Sequence, residues 1–130
     1  MPRCAIYARF STDRQSANSA EDQIALCSAR AQREGWEIAG VYTDIAISGA
    51  TNRRPGMTSM LADAAAGAFD IVLSEALDRI ARNQADIATI YQSLEFANVA
   101  IETLSEGRVN ELHIGLKGTM GALFLKDLAD

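Results

Sequence analysis

The stretch FDIVL, residues 69–73, decides the fold. Its residues are apolar apart from Asp70, and such a run is typical of a strand that is covered on both faces. Three further segments have the composition of strands, namely CAIY at 4–7, WEIAGVYT at 36–43 and AIETL at 100–104. We therefore expect a sheet that is buried on both sides, as the parallel sheets of α/β proteins are.

Segments with helical spacing separate these strands. The first apolar stripe ends at Gly35 and follows Ser19 and Asp22, which resemble a weak capping box, and Pro55 suits the first turn of the second helix. Because strand and helix alternate four times, the sequence predicts an α/β fold with a mainly parallel central sheet and helices on both faces. The stripes are Ile24, Cys27 and Ala31; Met57, Met60, Leu61 and Ala64; and Ile87, Ile90, Tyr91 and Leu94.

Three polar segments follow the first three predicted strands. They are RFSTDRQ at 9–15, ISGATNRR at 47–54 and ALDRIAR at 76–82. In open parallel sheets, ligands bind outside the carboxyl ends of the strands. We therefore expect these segments to converge on one functional rim of the sheet.

Length and composition exclude several classes of protein. The chain has 130 residues, 48% of them hydrophobic, which suffices for one domain with a buried core. No apolar run has the length of a membrane span, and the N-terminus lacks the apolar stretch of a secretory signal, so we expect a cytoplasmic protein. Cys4, Cys27 and the single histidine, His113, make neither a disulfide framework nor a tetrahedral zinc site. A structural or surface role suits His113 better than that of a general base.

The charges are unevenly distributed. Against 12 Lys and Arg the chain has 17 Asp and Glu, a net charge of −5, and residues 1–60 have a net charge of +1 while residues 61–130 have −6. Ten of the 12 cations are Arg, whose planar fork matches phosphate and carboxylate oxygens. We expect the acidic residues to lie mostly away from the rim. Five arginines fall in the rim segments, at positions 9, 53, 54, 79 and 82.

Each rim segment has both a functional and a structural interpretation. Arg9 and Ser11 are two residues apart at a strand end, so both project to the same side, as a nucleophile beside a charge-neutralising guanidinium would. In the structural interpretation, Ser11 belongs to a turn or cap and Arg9 is a surface charge. Likewise Ser48 with Gly49 suits a turn, and Arg53 with Arg54 suits a solvated pair.

The segment ALDRIAR has the same two interpretations. Asp78, Arg79 and Arg82 share one helical turn, and they follow a buried strand at the mouth of the sheet. The structural alternative is a solvated ion pair between Asp78 and Arg82, or an Asp78 cap at the start of the third helix.

Four motifs together resemble a known family. YARFSTDRQ at 7–15, SG at 48–49, RPG at 54–56 and LDRIAR at 77–82 are similar to the catalytic domain of the serine recombinases, the resolvase/invertase family. The motifs stand in the family's order and span nearly the whole chain, and Phe10 replaces the usual Val of the first motif. The segment 107–130 looks like family members with a large C-terminal region, including large serine integrases and transposon recombinases.

The resemblance implies site-specific DNA recombination. Ser11 matches the nucleophile, which attacks a DNA phosphodiester, forms a 5′-phosphoserine and frees a 3′-hydroxyl. The family uses neither metal nor ATP, so no cofactor is expected. Arg9, Arg79 and Arg82 match the cluster that grips the scissile phosphate, Arg54 matches a further phosphate-binding arginine, Asp78 matches the acid that orients them and handles protons, and Ser48, Gln15 and Gln23 match supporting polar residues.

The resemblance also implies domains and partners. Residues 1–110 would form the catalytic domain, and 111–130 the first part of a long oligomerisation helix that precedes a separate DNA-binding region. That helix would join a homodimer and then a tetramer on double-stranded DNA, with no membrane involved. Two other classes are alternatives, a receiver-like signalling domain and a non-catalytic oligomerisation module. A receiver needs an acidic cluster after the first strand, where this chain has Arg9, Phe10 and Ser11.

Overall fold

A computed structural model describes residues 2–11, 16–46, 54–81 and 84–110, and of residues 10, 11, 16–20, 46 and 84 it describes the backbone alone. Nine elements follow one another along these parts of the chain. They are β1 (Arg3–Ser11), α1 (Ser16–Glu34), β2 (Glu37–Ala46), α2 (Pro55–Ala65), β3 (Ile71–Ser74), α3 (Leu77–Ile80), α4 (Gln84–Phe96), β4 (Ala100–Thr103) and β5 (Gly107–Arg108).

The strands form one sheet in the order β2-β1-β3-β4-β5. β1 pairs in parallel with β2 and β3, and β3 pairs in parallel with β4, whereas β5 is antiparallel to β4. The prediction of an α/β fold with a mainly parallel sheet is therefore confirmed. All four residues of β3 are buried, as the FDIVL run predicts, although the strand begins at Ile71 and Phe69 packs beside it in the core.

Helices cover both faces of this sheet, as predicted. On one face, Cys4 and Ile6 of β1 and Ile71 and Leu73 of β3 pack against α1. The opposite face is larger, and its side chains come from alternate positions of the same strands, such as Ala5, Tyr7 and Val72, because successive strand residues point to opposite sides. The helical residues packed there are Met57, Met60, Ala64, Leu77, Ile80, Ile87, Ile90 and Leu94.

Several boundaries differ from the sequence-based prediction. α1 begins at Ser16, so Ser19 lies inside the helix and does not cap it. β2 continues to Ala46, so Asp44 is a buried strand residue and not part of a loop. The helical turn predicted for Asp78 and Arg79 is present as α3, but it ends at Ile80 because Ala81 is extended, so this turn does not reach Arg82. The short strand β5 was not predicted, because two residues are too few to show a hydrophobic period.

No helix within the described ranges is long and apolar enough to cross a membrane. The predicted oligomerisation helix at 111–130, which includes His113, lies outside the described residues.

A pair of leucine substitutions tests the packing. Leu94 of α4 is 1% exposed and Leu26 of α1 is 51% exposed. We expect Leu94→Ala to lower the free energy of unfolding by about 2–5 kcal/mol, because it removes buried apolar surface and leaves a cavity. The matched change Leu26→Ala should cost less than about 1 kcal/mol. Chemical denaturation measures both, and equal effects would contradict this assignment of the core.

Candidate active site

The end of β1 extends beyond its neighbour β3. Pairing of β1 with β3 stops at Ile6, whereas pairing with β2 continues to Ser11, which lies opposite Ala46. The last residues of β1 therefore have a strand neighbour on one side only, and α3 lies against β1. On this overhang, Arg9 contacts the segment that follows β3, because its guanidinium binds the Asp78 carbonyl oxygen. The Ser11 side chain is outside the described part of the structure.

Gln23 of α1 completes the backbone hydrogen bonding of this overhang. Its Nε2 donates to the Arg9 carbonyl oxygen at 3.1 Å, and its Oε1 accepts from the Arg9 backbone N–H at 3.3 Å. The side chain thus does for Arg9 what a neighbouring strand would do. Gln23 is 2% exposed, so this predicted site residue supports the strand from inside the molecule.

Arg54 lies between β2 and α2 and is held by neutral partners. Its Nη2 donates to the Tyr7 hydroxyl at 3.0 Å and to the backbone carbonyl of Ile80, and its guanidinium carbon lies 5.6 Å from the centre of the Tyr7 ring. The interpretation of Arg54 as part of a solvated pair is therefore wrong, because the side chain is half-buried and bonded on two sides. Its neighbour Arg53 is outside the described residues.

A buried carboxylate orients the Tyr7 hydroxyl that binds Arg54. Asp44 of β2 is 3% exposed, and its two oxygens accept from the Tyr7 hydroxyl at 2.7 Å and from the backbone N–H groups of Gly56 and Met57 at 2.7 and 2.9 Å. The latter two are free N–H groups of the first turn of α2, so Asp44 caps that helix from a neighbouring strand.

The motif RPG follows from this contact. Pro55 occupies the first position of α2, where the backbone N–H that proline lacks would have no partner within the helix. A Cβ on Gly56 would lie 2.3 Å from the Thr43 carbonyl oxygen, so only glycine allows the turn to approach β2 closely enough to bond Asp44.

Tyr7 links Asp44 to Arg54 as a protonated group. Burial, followed by the hydrogen bond to Asp44, raises the pKa of Tyr7 to about 12, while Arg54 acts in the opposite direction. At neutral pH the hydroxyl therefore keeps its proton. It donates to Asp44 and accepts from Arg54, and it does not serve as a general base.

The short helix α3 gathers the arginines. Arg9 Nη2 donates to the Asp78 carbonyl oxygen at 3.4 Å, and Arg54 donates to the carbonyl of Ile80, so both guanidinium groups bind the backbone of one helical turn. Asp78 itself is exposed, and it occupies the first turn of α3 without capping it. Four of the predicted residues therefore meet here, namely Arg9, Arg54, Asp78 and Arg79.

Acidic residues lie closer to this rim than expected. Arg79 Nε pairs with Glu75 Oε1 at 3.2 Å, four residues earlier, and both side chains are partly exposed. Glu106 reaches the first N–H group of α3. The expectation that the acids of the second half lie away from the rim is therefore wrong for these two residues, because the turns after β3 and β4 return to the same edge of the sheet.

Three predicted site residues lie in parts of the chain that the structure does not describe. Gln15, Ser48 and Arg82 lie outside the described residues, so the Asp78 pairing with Arg82 stays a prediction. Sequence reasoning missed Tyr7 and Asp44. Tyr7 ends the segment CAIY, where a tyrosine is an ordinary strand residue, so nothing in the sequence marks its hydroxyl. Asp44 stands directly after the strand segment WEIAGVYT, and an acid that ends an apolar strand is the signal that would have found it.

Comparison with known proteins identifies the family. The model of the family described as "Resolvase, N terminal domain" matches residues 4–129. The chain belongs to this family. Among similar proteins, the transposon Tn552 DNA-invertase BinR of Staphylococcus aureus is 35% identical over 77% of this chain and 46% of its own length. A resolvase/recombinase of Pseudomonas putida is 30% identical over 95% of this chain and 59% of its own. The chain thus spans about half the length of these relatives.

Solved structures of this family have the same fold. The N-terminal catalytic domain of TP901-1 integrase matches with a TM-score of 0.71 and 31% identity, over 98% of this chain and 91% of that one. A resolvase family site-specific recombinase from Streptococcus pneumoniae matches with a TM-score of 0.77 at 24% identity, over 99% and 91% of the two chains, and this second likeness concerns the fold alone.

The Asp44 contacts can be tested by substitution. We expect Asp44→Ala to lower the free energy of unfolding by about 2–4 kcal/mol, because it leaves the Tyr7 hydroxyl and two backbone N–H groups without their acceptor. Tyr7→Phe removes a single hydrogen-bonded hydroxyl and should cost about 1 kcal/mol. The matched control is Asp22→Ala, because Asp22 is an exposed acid inside α1, and its free energy of unfolding should stay within about 0.5 kcal/mol of that of the parent. An Asp44→Ala protein as stable as the parent would refute the assignment of Asp44 as the central acceptor.

Alkaline pH provides an independent test of the same contacts. Folding raises the pKa of Tyr7 from 10.0 to about 12. Between these two values the unfolded chain loses the proton while the folded chain keeps it, so the free energy of unfolding should fall as pH rises. Tyr42 has the same sign of shift, so the comparison is made between Tyr42→Phe and the double variant with Tyr7→Phe. Denaturation curves across this range should decline less steeply in the double variant, and parallel curves would contradict the prediction.

Proposed function

We propose that this chain is the catalytic domain of a serine site-specific recombinase, which cleaves and rejoins double-stranded DNA. The observation that carries the proposal is the convergence of Arg9, Arg54, Asp78 and Arg79 at the overhanging end of β1. Ser11, two residues after Arg9, ends this strand in register with Ala46. Membership in the resolvase N-terminal domain family supports the same activity.

In the proposed reaction, the Ser11 Oγ attacks the phosphorus of a DNA phosphodiester. The Ser11 hydroxyl gives up its proton as a bond forms between Oγ and phosphorus. The bond from phosphorus to the 3′-oxygen breaks, and that oxygen takes up a proton and leaves as a 3′-hydroxyl. The product is a 5′-phosphoserine. A 3′-hydroxyl from another strand then reverses the attack and releases Ser11. Because one phosphoester replaces another, the bond energy is conserved and neither ATP nor metal is required by this scheme.

The arginines suit the stabilisation of the reacting phosphate. In phosphoryl transfer the negative charge spreads over the oxygens that do not react, and catalysis is mostly positioning together with cationic stabilisation. Arg54 is bonded to a hydroxyl and a carbonyl group, which are neutral, so these contacts do not neutralise its positive charge. Arg9 binds the same helical turn, with its guanidinium on the Asp78 carbonyl oxygen. We propose that both bind phosphate oxygens together with Arg79 and Arg82, and that Asp78 orients the guanidinium groups and handles protons.

Supporting roles are proposed for three polar residues. Gln23 holds the backbone of Arg9 and thereby the end of β1, which agrees with a role in support and not in chemistry. Ser48 and Gln15 are proposed to contact the DNA or its phosphates, on the strength of the family motifs alone.

The larger assembly is also a proposal. Residues 1–110 would act as the catalytic domain, and 111–130 as the start of a helix that joins two copies and then four on DNA. We propose a cytoplasmic location. The relatives matched here extend well beyond this chain, so tight binding of DNA is assigned to regions outside it.

Substitution of the nucleophile tests the reaction. In the full-length enzyme with its recombination site, Ser11→Ala should abolish the covalent protein–DNA adduct that resists denaturation, because no oxygen remains to attack. The matched control is Ser59→Ala, which alters an exposed serine of α2, and it should leave adduct formation unchanged. Gel analysis of denatured reactions detects the adduct, and mass spectrometry locates the modified serine. An adduct that survives in Ser11→Ala would overturn the proposal.

Replacement of a guanidinium by an amine tests the phosphate contacts. Arg79→Lys keeps the positive charge but loses the fork, so we expect the cleavage rate to fall by about tenfold or more. The comparison variant is Arg33→Lys, at an exposed arginine near the end of α1, which should cleave at the parental rate. Single-turnover adduct formation provides the rates. Equal rates in the two variants would show that Arg79 needs only its charge.

A further inference from the structure

The helix that carries Asp78 and Arg79 has no cap of its own. α3 is a single turn, Leu77–Ile80, and Ala76, the residue before it, offers no side-chain hydrogen bond to the free N–H groups. One turn of helix fixes several backbone angles for few hydrogen bonds, so it is not stable without outside contacts. The backbone N–H of Leu77 finds its acceptor 29 residues away, at Glu106 Oε1, 3.1 Å distant.

Glu106 is itself held in one orientation. Its Oε1 accepts from the Thr103 hydroxyl at 2.7 Å, and its backbone N–H donates to the same hydroxyl oxygen at 2.8 Å. Thr103 is fully buried at the end of β4. The two hydrogen bonds close a ring between Thr103 and Glu106, and this ring aims the carboxylate at α3.

Two backbone hydrogen bonds run beside this contact. Leu104 N–H donates to the Ser74 carbonyl oxygen at 3.0 Å, and Ser105 N–H donates to the Glu75 carbonyl oxygen at 3.1 Å. They continue the pairing of β3 with β4 beyond the ends of both strands. The turn between β4 and β5 is therefore hydrogen-bonded to the connection from β3 to α3.

The position of α3 affects four site residues together. The helix carries Asp78 and Arg79, and its carbonyl oxygens bind the guanidinium groups of Arg9 and Arg54. A change in the start of α3 would therefore alter all four groups. The negative charge of Glu106 also suits the positive end of the aligned backbone dipoles.

We propose that Glu106 is a positioning residue of the active site, which fixes the start of α3 from the turn between β4 and β5. This inference rests on the proposed function, because the groups that it positions are those of the proposed reaction. Glu106 acts through α3, and no contact with DNA is assigned to it.

Three variants of the full-length enzyme test the inference. Glu106→Ala removes the acceptor, and Glu106→Gln keeps an acceptor oxygen in the same place without the charge. Ser105→Ala is the matched control, because it changes an exposed side chain of the same turn and keeps the backbone bond to Glu75. Single-turnover adduct formation on pre-bound DNA and the DNA dissociation constant are measured at a temperature where circular dichroism shows every variant folded. Amide NMR spectra of the 130-residue chain without DNA report on α3.

We expect Glu106→Ala to slow adduct formation by about tenfold, which is the size of effect that loss of a helix cap gives, with the dissociation constant for DNA unchanged within about twofold. Glu106→Gln should restore most of the rate, and Ser105→Ala should match the parent. The amide signals of Leu77, Asp78 and Arg79 should move in Glu106→Ala and remain near their parental positions in Glu106→Gln.

Parental cleavage by folded Glu106→Ala would overturn the inference, and so would a rate that falls equally in the alanine and glutamine variants. Unmoved amide signals of α3 in Glu106→Ala would overturn it as well. Adduct formation by the parent enzyme is measured first, and the absence of a serine adduct there would refute the proposed function. The amide spectra need no DNA, so they decide whether Glu106 fixes α3 in either case.

Discussion

One buried carboxylate organises the rim of this sheet. Asp44 accepts from the Tyr7 hydroxyl and from two backbone N–H groups of α2, and so it joins β1, β2 and α2 at a single point. A buried charge is costly unless hydrogen bonds satisfy it, and here three donors do so. Because the Tyr7 hydroxyl is already committed as a donor to Asp44, its oxygen is available as an acceptor for Arg54. The orientation of Arg54 thus depends on a residue that it does not touch.

The short helix α3 depends on a second set of outside contacts. It is a single turn, and its first N–H is bonded by Glu106 while two of its carbonyl oxygens are bonded by Arg9 and Arg54. Its own apolar residues, Leu77 and Ile80, are buried in the larger core. Three kinds of contact therefore hold the helix in place: its apolar side chains pack in the core, a carboxylate binds its first N–H group, and guanidinium groups bind two of its carbonyl oxygens. Each arginine is in turn held by the helix that it helps to position.

The regular elements were predictable from the sequence, because their signals are local. The four apolar strand segments and the stripes of the helices lie within windows of a dozen residues, and the structure confirms the sheet and both layers of helices that they predict. The two carboxylates that organise the rim were not predicted. Asp44 lies 37 residues from Tyr7, and Glu106 lies 29 residues from Leu77. Both bind backbone N–H groups, which every residue type other than proline offers, so the sequence does not show which groups they bind. The position of Asp44 after an apolar strand segment marks the acid itself, but not its partners.

Locating the charges changes what the net charge implies. A net charge of −5 is unfavourable for a protein that handles DNA, yet two of the acids near the rim, Asp44 and Glu106, have other hydrogen-bond partners than the arginines. Asp44 accepts hydrogen bonds from Tyr7 and from two backbone N–H groups of α2. Glu106 accepts from Thr103 and from the first N–H group of α3, so both carboxylates stabilise the backbone of neighbouring elements. Arg79 is paired with an acid, Glu75, in a partly exposed contact that solvent weakens. Arg54, by contrast, is held by oxygens that are neutral. For the proposed reaction this difference matters, because a phosphate that binds here would find Arg54 already oriented by neutral groups, while Arg79 would have to exchange the Glu75 carboxylate for the phosphate.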